Sequence, residues 1–228
     1  MTTHQDFRDM DAWVFDLDNT LYPASANLFP QIDQRMKEYI AKALGLDVAQ
    51  AFLLQKQYYH EYGTTLRGLM LRHGLDPDPF LEYVHAVNHD VLGPDPALGQ
   101  ALARLPGRRL VYTNGSEHHA VQVLARLGIE RYFEAIFDIR AAGYIPKPDP
   151  ESYERMVRRL SVRPRSAVMF EDSAANLLPA AKMGMTTVWV KPDPAGGEQW
   201  SAPAPADTSH CHHVTDNLVD WLDAIRCA

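Results

Sequence analysis

The sequence predicts an α/β chain built on a doubly wound, Rossmann-like parallel sheet, with an all-α insert after the first strand. Three observations carry that prediction. From about residue 93 onward, short apolar runs alternate with segments of helical spacing, the rhythm of a parallel sheet with helices on both faces. Residues 24–92 show helical spacing alone, segment after segment with no strand between. The run just before them, Ala12–Phe15, is apolar throughout and stops at Asp16, as a strand buried on both faces does. Residues 1–23 and 93–228 are therefore assigned to the sheet domain and 24–92 to the helical insert.

Each element has local support. In the insert, Phe29, Ile32, Met36, Ile40, Ala43 and Leu44 fall on one helical face, and Gly45 follows as a C-cap. Asp47 caps a second helix, which runs through a tyrosine-rich stretch to Gly63. Thr64 and Thr65 open a third that stops at Gly74, and Asp78, with Pro79 in the first helical position, opens a fourth reaching Leu92. After Gly93–Pro96 come the strands "RLVYT", "EAIFD", "SAVMFE" and "TTVWV", each preceded by an amphipathic helix. Residues 192–213, rich in proline, glycine, serine and alanine, read as one long surface loop, and "DNLVDWLDAIR" as a closing helix.

Composition narrows the class. The chain has 228 residues, 46% hydrophobic and 22% charged, which suits a soluble globular protein. A net charge of -7 offers no basic face for nucleic acid or an anionic membrane. No stretch approaches the ~18 apolar residues of a membrane span, and the N-terminus lacks the apolar heart of a signal peptide. Cys211 and Cys227 make no disulfide framework, so a cytoplasmic monomer or homodimer is expected. The run His210-Cys211-His212-His213 lacks the separated ligand pairs of a structural zinc site and reads as loop.

Ligands of doubly wound sheets bind at the carboxyl ends of the strands, and the chemistry-bearing residues gather there. Asp16 and Asp18 follow the first strand, Thr113, Asn114 and Gly115 the second, Lys147 lies in the loop after the third, and Glu171-Asp172 follow the fourth. Carboxylates this close repel one another and resist desolvation. Asp16, Asp172 and the backbone carbonyl of Asp18 offer oxygen ligands to Mg²⁺, which would offset that repulsion. Thr113, with the N–H groups of Asn114 and Gly115 at a helix start, forms an anion cradle, and Lys147 adds a positive charge. The set suits a small phosphate ester: Asp16 attacks phosphorus as nucleophile, and Asp18 serves as general acid and then base.

"DLDNT", "TNGS", "KPDP" and "FEDSAAN", in this order, resemble the four motifs of the haloacid dehalogenase superfamily. The insert is similar to that superfamily's C1-type cap. The resemblance implies an aspartyl-phosphate mechanism with Mg²⁺, phosphate contacts from Thr113 and Lys147, and metal ligation by Asp172 with help from Glu171. It implies further that Thr20 orients Asp18 and that Asn176 supports the acidic pair. "FDLDNTLYP", "YGTTLRGL" and "YTNGSEHHAVQVLARLGI" look most like the pyrimidine 5′-nucleotidase branch, whose members hydrolyse UMP or CMP and in some cases pyridoxal phosphate or sugar phosphates. On that resemblance Tyr62, Gly63, Thr64, Thr65 and His85 are candidate contacts to the leaving group. The aromatic run Tyr58–Tyr62 also reads as simple core packing, and His85 as a structural histidine. A different class places similar acids, a threonine and a lysine at strand ends: the receiver-like phosphoacceptor switch, which holds phosphate without turnover. Asp18 and the long helical insert weigh against it.

Overall fold

The computed structural model describes residues 7–191 and 207–225. Cys227 and most of the predicted 192–213 loop lie outside them. In chain order, β1 (Ala12–Phe15) leads into α1 (Phe29–Leu44), α2 (Val48–Tyr62), α3 (Thr65–His73) and α4 (Pro77–His85). Then come α5 (Pro96–Ala103), β2 (Arg108–Tyr112), α6 (Glu117–Leu127), β3 (Ala135–Phe137), α7 (Pro150–Leu160) and β4 (Ala167–Glu171). The chain finishes with α8 (Ala174–Met183), β5 (Thr186–Val190), β6 (His213–Thr215) and α9 (Leu218–Ala224).

The strands form one parallel sheet in the order β3-β2-β1-β4-β5-β6. Side chains alternate across it, as strand geometry requires. Trp13 and Phe15 pack with Val111, Phe170 and the apolar faces of α5, α6 and α9. Val14 points the other way, with Leu110, Tyr112 and Met169, onto Tyr153 and Met156 of α7 and Leu177 of α8. Burial on both faces is why these strands are apolar runs instead of alternating ones. The chain winds outward from β1 through β2 to β3, then returns past β1 to β4 and β5. The winding therefore reverses beside β1, and a crevice opens there at the strands' carboxyl ends.

The insert has an apolar cluster of its own: Ile32, Ile40, Ala51, Tyr58, Leu66, Leu69, Phe80, Leu81 and Val84, joined by Ile139 from the sheet domain. Its helix signals act largely as read. Gly45, Gly63 and Gly74 end their helices with φ of 66°, 81° and 62°, and Asp47 makes a capping box with Gln50. The fourth helix differs at both ends. It starts on Asp76 with Pro77 in the first turn, because the same Asp-Pro signal occurs twice in a row and the earlier copy caps it. It stops at His85, and the Asn88 side chain starts a separate 3-10 turn over His89–Val91. A second difference is β6, where a loop was expected through His213: its three residues are half-exposed and too few to show a period. No helix among the described residues is long and apolar enough to cross a membrane.

Helices α2 and α3 meet at Gly68. A methyl group there would lie 2.4 Å from Cγ of Tyr58. On an open helix face, replacing glycine by alanine stabilises by up to about 1 kcal/mol. At this position the clash reverses the sign, and Gly68→Ala should destabilise the chain by about 1–3 kcal/mol. Chemical denaturation checks this, and a stabilised variant would refute the contact.

Candidate active site

The site grows from the ends of β1, β2 and β4. Beyond Phe15 the ladder continues for one bond, Asp16 N–H to Phe170 O at 3.0 Å, and so fixes Asp16 at the strand's exit. Opposite it, the loop after β3 delivers Lys147, whose backbone N–H donates to Asn114 Oδ1 at 2.8 Å. The buried ammonium then donates to Asp16 Oδ1 at 2.6 Å, Glu171 Oε1 at 2.8 Å and the Tyr112 carbonyl at 2.9 Å. All three of its hydrogens are thereby engaged. Burial disfavours the charge on Lys147, yet Asp16 and Glu171 outweigh it and raise its pKa. Burial pushes the Asp16 carboxyl up to about 7 against the pull of Lys147.

Glu171 is held on three sides, accepting also from Ser173 N–H at 2.8 Å and Asn176 Nδ2 at 2.7 Å. Asp172 is pushed well above the usual carboxylate range, by burial first and then by its neighbours Glu171 and Asp16. Thr20 corrects one expectation. Its hydroxyl donates to Asp16 Oδ2 at 3.0 Å and does not orient Asp18. One turn after Asp16, it is the i+4 hydroxyl that comes back to the first acid.

Asp18 is gripped by residues that the sequence pattern does not single out. Tyr22 OH donates to its Oδ1 at 2.5 Å, and His119 Nε2 lies 2.9 Å from the same oxygen. Burial would raise this carboxyl, but His119 and then Tyr22 bring it down to about 2. His119 is fully buried, and its Nδ1 lies 3.1 Å from His89 Nε2. His85 stacks on His119 at 4.6 Å between centroids, with its Nδ1 2.9 Å from Ser116 Oγ. Of this group the sequence pattern singles out His85 alone; His89 lies about one helical turn's length beyond it, and His119 joins them from 30 residues further on.

Asp16, Asp18, Thr113, Asn114, Gly115, Lys147, Glu171, Asp172 and Asn176 all face one cavity of about 170 Å³ beneath the insert. Thr64, Thr65 and His85 reach the same cavity. Tyr62 and Gly63 do not; they line the neighbouring groove along Pro146–Pro150. Tyr62 packs edge-on against Tyr58, and Gly63 sits where a methyl group would meet Pro146 at 3.3 Å and the Lys147 carbonyl at 3.4 Å. The Thr65 hydroxyl donates to the Gln55 carbonyl at 3.1 Å, and Thr64 caps α3. In the expected anion cradle, Gly115 N–H donates to Thr113 Oγ1 at 2.9 Å.

One carboxylate oxygen each from Asp16, Glu171 and Asp172 lies within 4.8 Å of the other two. Hard oxygen donors with this much uncompensated negative charge fit a divalent cation such as Mg²⁺. His210, His212 and His213 form no comparable group: their rings turn to the Ala174 carbonyl, to Thr187, and to Phe7 with Trp221.

The fold and the sequence both have counterparts among known proteins. The chain belongs to the haloacid dehalogenase-like hydrolases, whose family model matches residues 10–184. It is 29% identical over 189 residues to phosphate metabolism protein 8 of Saccharomyces cerevisiae, covering 75% of this chain and 58% of the yeast protein's length. It is 30% identical over 195 residues to glyceraldehyde 3-phosphate phosphatase of Methanopyrus kandleri, covering 79% of this chain and 83% of that one. Its fold matches L-2-haloacid dehalogenase of Xanthobacter autotrophicus with a TM-score of 0.55 at 18% identity, over 94% and 97% of the two chains.

His85 sets a pH dependence. Burial lowers its pKa to about 3, against ~6.5 in an unfolded chain. Above pH ~6.5 it contributes nothing to the slope; below that, the unfolded chain takes up a proton that the folded one refuses. Stability should therefore fall as pH drops from 6.5 to 5.5, with His85 supplying about 1 kcal/mol of that loss. His85→Asn, which retains a nitrogen near Ser116, should flatten the slope by that amount in denaturation curves at the two pH values. Equal slopes would show that His85 is not the group refusing the proton.

Proposed function

We propose that this chain is a Mg²⁺-dependent phosphomonoesterase that works through an aspartyl-phosphate. The observation that carries the reading is the convergence of Asp16, Asp18, Thr113, Lys147 and Asp172 on one cavity under a helical roof. Residues 24–92 act as the cap and the remaining chain as the catalytic domain, a division supported by the insert's separate apolar cluster.

Asp16, Asp172 and the carbonyl of Asp18 would hold the Mg²⁺, with Glu171 beside them, and the bound ion supplies charge for the phosphate to settle among acids. A carboxylate oxygen of Asp16 attacks phosphorus, and the ester P–O bond breaks as Asp18 delivers a proton to the departing oxygen. Asp18 is ionised in the free site and takes up that proton only once the phosphate's negative charge stands beside it. Asp18 then takes a proton from water as its oxygen attacks the phosphorus, releasing phosphate and restoring Asp16. Lys147 holds Asp16 in line and offsets charge on the transferring group. Thr113 and the neighbouring N–H groups receive the phosphate oxygens, with Gly115 N–H leaving Thr113 Oγ1 to do so. Tyr22 and His119 keep Asp18 aimed.

For the substrate, we favour a pyrimidine nucleoside 5′-monophosphate, on the motif resemblance and on the apolar wall that Phe29, Ile32 and Met36 give the cavity. A smaller ester is the second reading. The small cavity volume of about 170 Å³ favours it, as does the activity named for the Methanopyrus relative. The buried free thiol of Cys211 agrees with a reducing, cytoplasmic setting.

The test is phosphate release from UMP, CMP, AMP, GMP, pyridoxal phosphate, phosphoglycolate and triose and hexose phosphates, with Mg²⁺ and with EDTA. EDTA should abolish release. Asp16→Asn should lower turnover by at least about 10³-fold while the fold persists. Stable phosphorylation of Asp16 without turnover on any ester would reject the phosphatase in favour of a phosphoacceptor switch.

A further inference from the structure

The roof of the cavity contains a polar cluster that the proposed chemistry does not use. Asp33 on α1 is 2% exposed, and three groups converge on its carboxylate. Gln55 Nε2 and Lys56 Nζ donate to Oδ1 at 2.7 and 3.0 Å, and Lys37 Nζ lies 3.1 Å from Oδ2. Asp33, Gln55 and Lys56 share the cavity wall with Phe29 and Met36, facing the same space as Asp16 and Lys147.

Gln55 is the informative member. It is 3% exposed, and its Oε1 is buried with no hydrogen-bond partner among the described residues. Its orientation is not free to relieve this. An ionised carboxylate only accepts, so the amide must present its NH₂ to Asp33, and a flip would set Oε1 against that carboxylate. The backbone carbonyl of Gln55 is engaged by the Thr65 hydroxyl, which ties the residue to the start of α3. The chain thus builds a buried acceptor, fixes its direction with a hydrogen bond to a buried carboxylate, and leaves it without a donor among the described residues. An orphaned buried acceptor is costly unless something else satisfies it.

We infer that Gln55, locked by Asp33, is a specificity-determining residue whose Oε1 accepts a hydrogen bond from an N–H or O–H on the leaving group of the substrate. The inference rests on the phosphatase reading, since the phosphate end of the substrate must lie at Asp16 and Lys147. The apolar stretch of Phe29 and Met36 covers the middle of the leaving group, and Gln55 reads its remote polar edge. Esters whose leaving group has no such donor leave Oε1 unsatisfied, and a site built around a hydrogen bond rejects them.

The test compares two substrates in each variant: the best ester from the panel and p-nitrophenyl phosphate, whose leaving group carries no N–H or O–H before cleavage. Gln55→Met keeps the length and volume of the side chain and removes the acceptor. The ratio of kcat/KM between the two substrates should fall by about tenfold, mostly through KM of the better ester. Asp33→Asn, which unlocks the amide but leaves Oε1 in place, should lower the ratio by less. Thermal unfolding of both variants separates these effects from loss of fold. A ratio unchanged in Gln55→Met, or a best substrate that itself lacks a donor, overturns the inference while leaving the phosphatase intact. Absence of turnover by the wild-type chain on every ester, p-nitrophenyl phosphate included, overturns both.

Discussion

Lys147 is the element on which the site depends. Its ammonium is buried among Asp16, Glu171 and the Tyr112 carbonyl, and so joins the exits of three strands at one point. A buried carboxylate with no counter-charge is prohibitively costly, and this crevice has four acids around it. One lysine cannot neutralise them all, and Asp172 is pushed toward its neutral form by burial first and then by Glu171 and Asp16. The residual negative charge makes the crevice receptive to a divalent cation. The lysine must be aimed for this to hold. Asn114 supplies the aim, accepting from the Lys147 backbone and thereby tying the loop after β3 to the turn after β2.

A second centre lies beside the first and connects the insert to the sheet domain. Ser116 caps α6 through the N–H of His119, and its hydroxyl also meets His85 of α4. His119 in turn holds Asp18. The side chain that positions Asp18 is therefore sandwiched between a helix start in the sheet domain and a helix end in the insert. Where the insert sits and how Asp18 is held are physically linked.

The sheet was legible because a strand buried on both faces cannot avoid being an apolar run, and because acids, threonine and lysine at strand exits have few structural reasons to be there. Helix starts and stops were legible wherever a glycine or an Asp-Pro pair acts within a few residues of itself. The second Asp-Pro pair misplaced the start of α4 by two residues, since either copy satisfies the local rule. What sequence could not supply were contacts between distant segments. Thr20 reaches Asp16 because the chain turns helically after β1. His119 reaches Asp18 across 101 positions, and Asp33 meets Gln55 across 22. No periodicity encodes such pairs; Asp33 even lies on the otherwise apolar face of α1, where spacing alone marks it as misplaced.

The contacts between insert and sheet domain constrain how a substrate enters. Arg67 donates to the Tyr144 carbonyl at 3.2 Å, and Asp78 accepts from Arg140 at 2.8 Å and from Tyr144 OH at 3.0 Å. Asp78 is exposed and Arg140 partly exposed, so water replaces those bonds at small cost when they part. The apolar part of the contact is narrower: Ile139 is the one sheet-domain residue among the buried members of the insert's cluster. The contact is not made at the rim alone, because buried His85 meets Ser116 and stacks on His119, and Leu28 and Leu92 of the insert pack into the sheet-domain core. The roof of the cavity is thus held by exchangeable polar bonds and by buried histidine contacts together. On the phosphatase reading proposed above, parting the exposed bonds would widen access to the cavity, and the buried histidine contacts would carry that movement to Asp18.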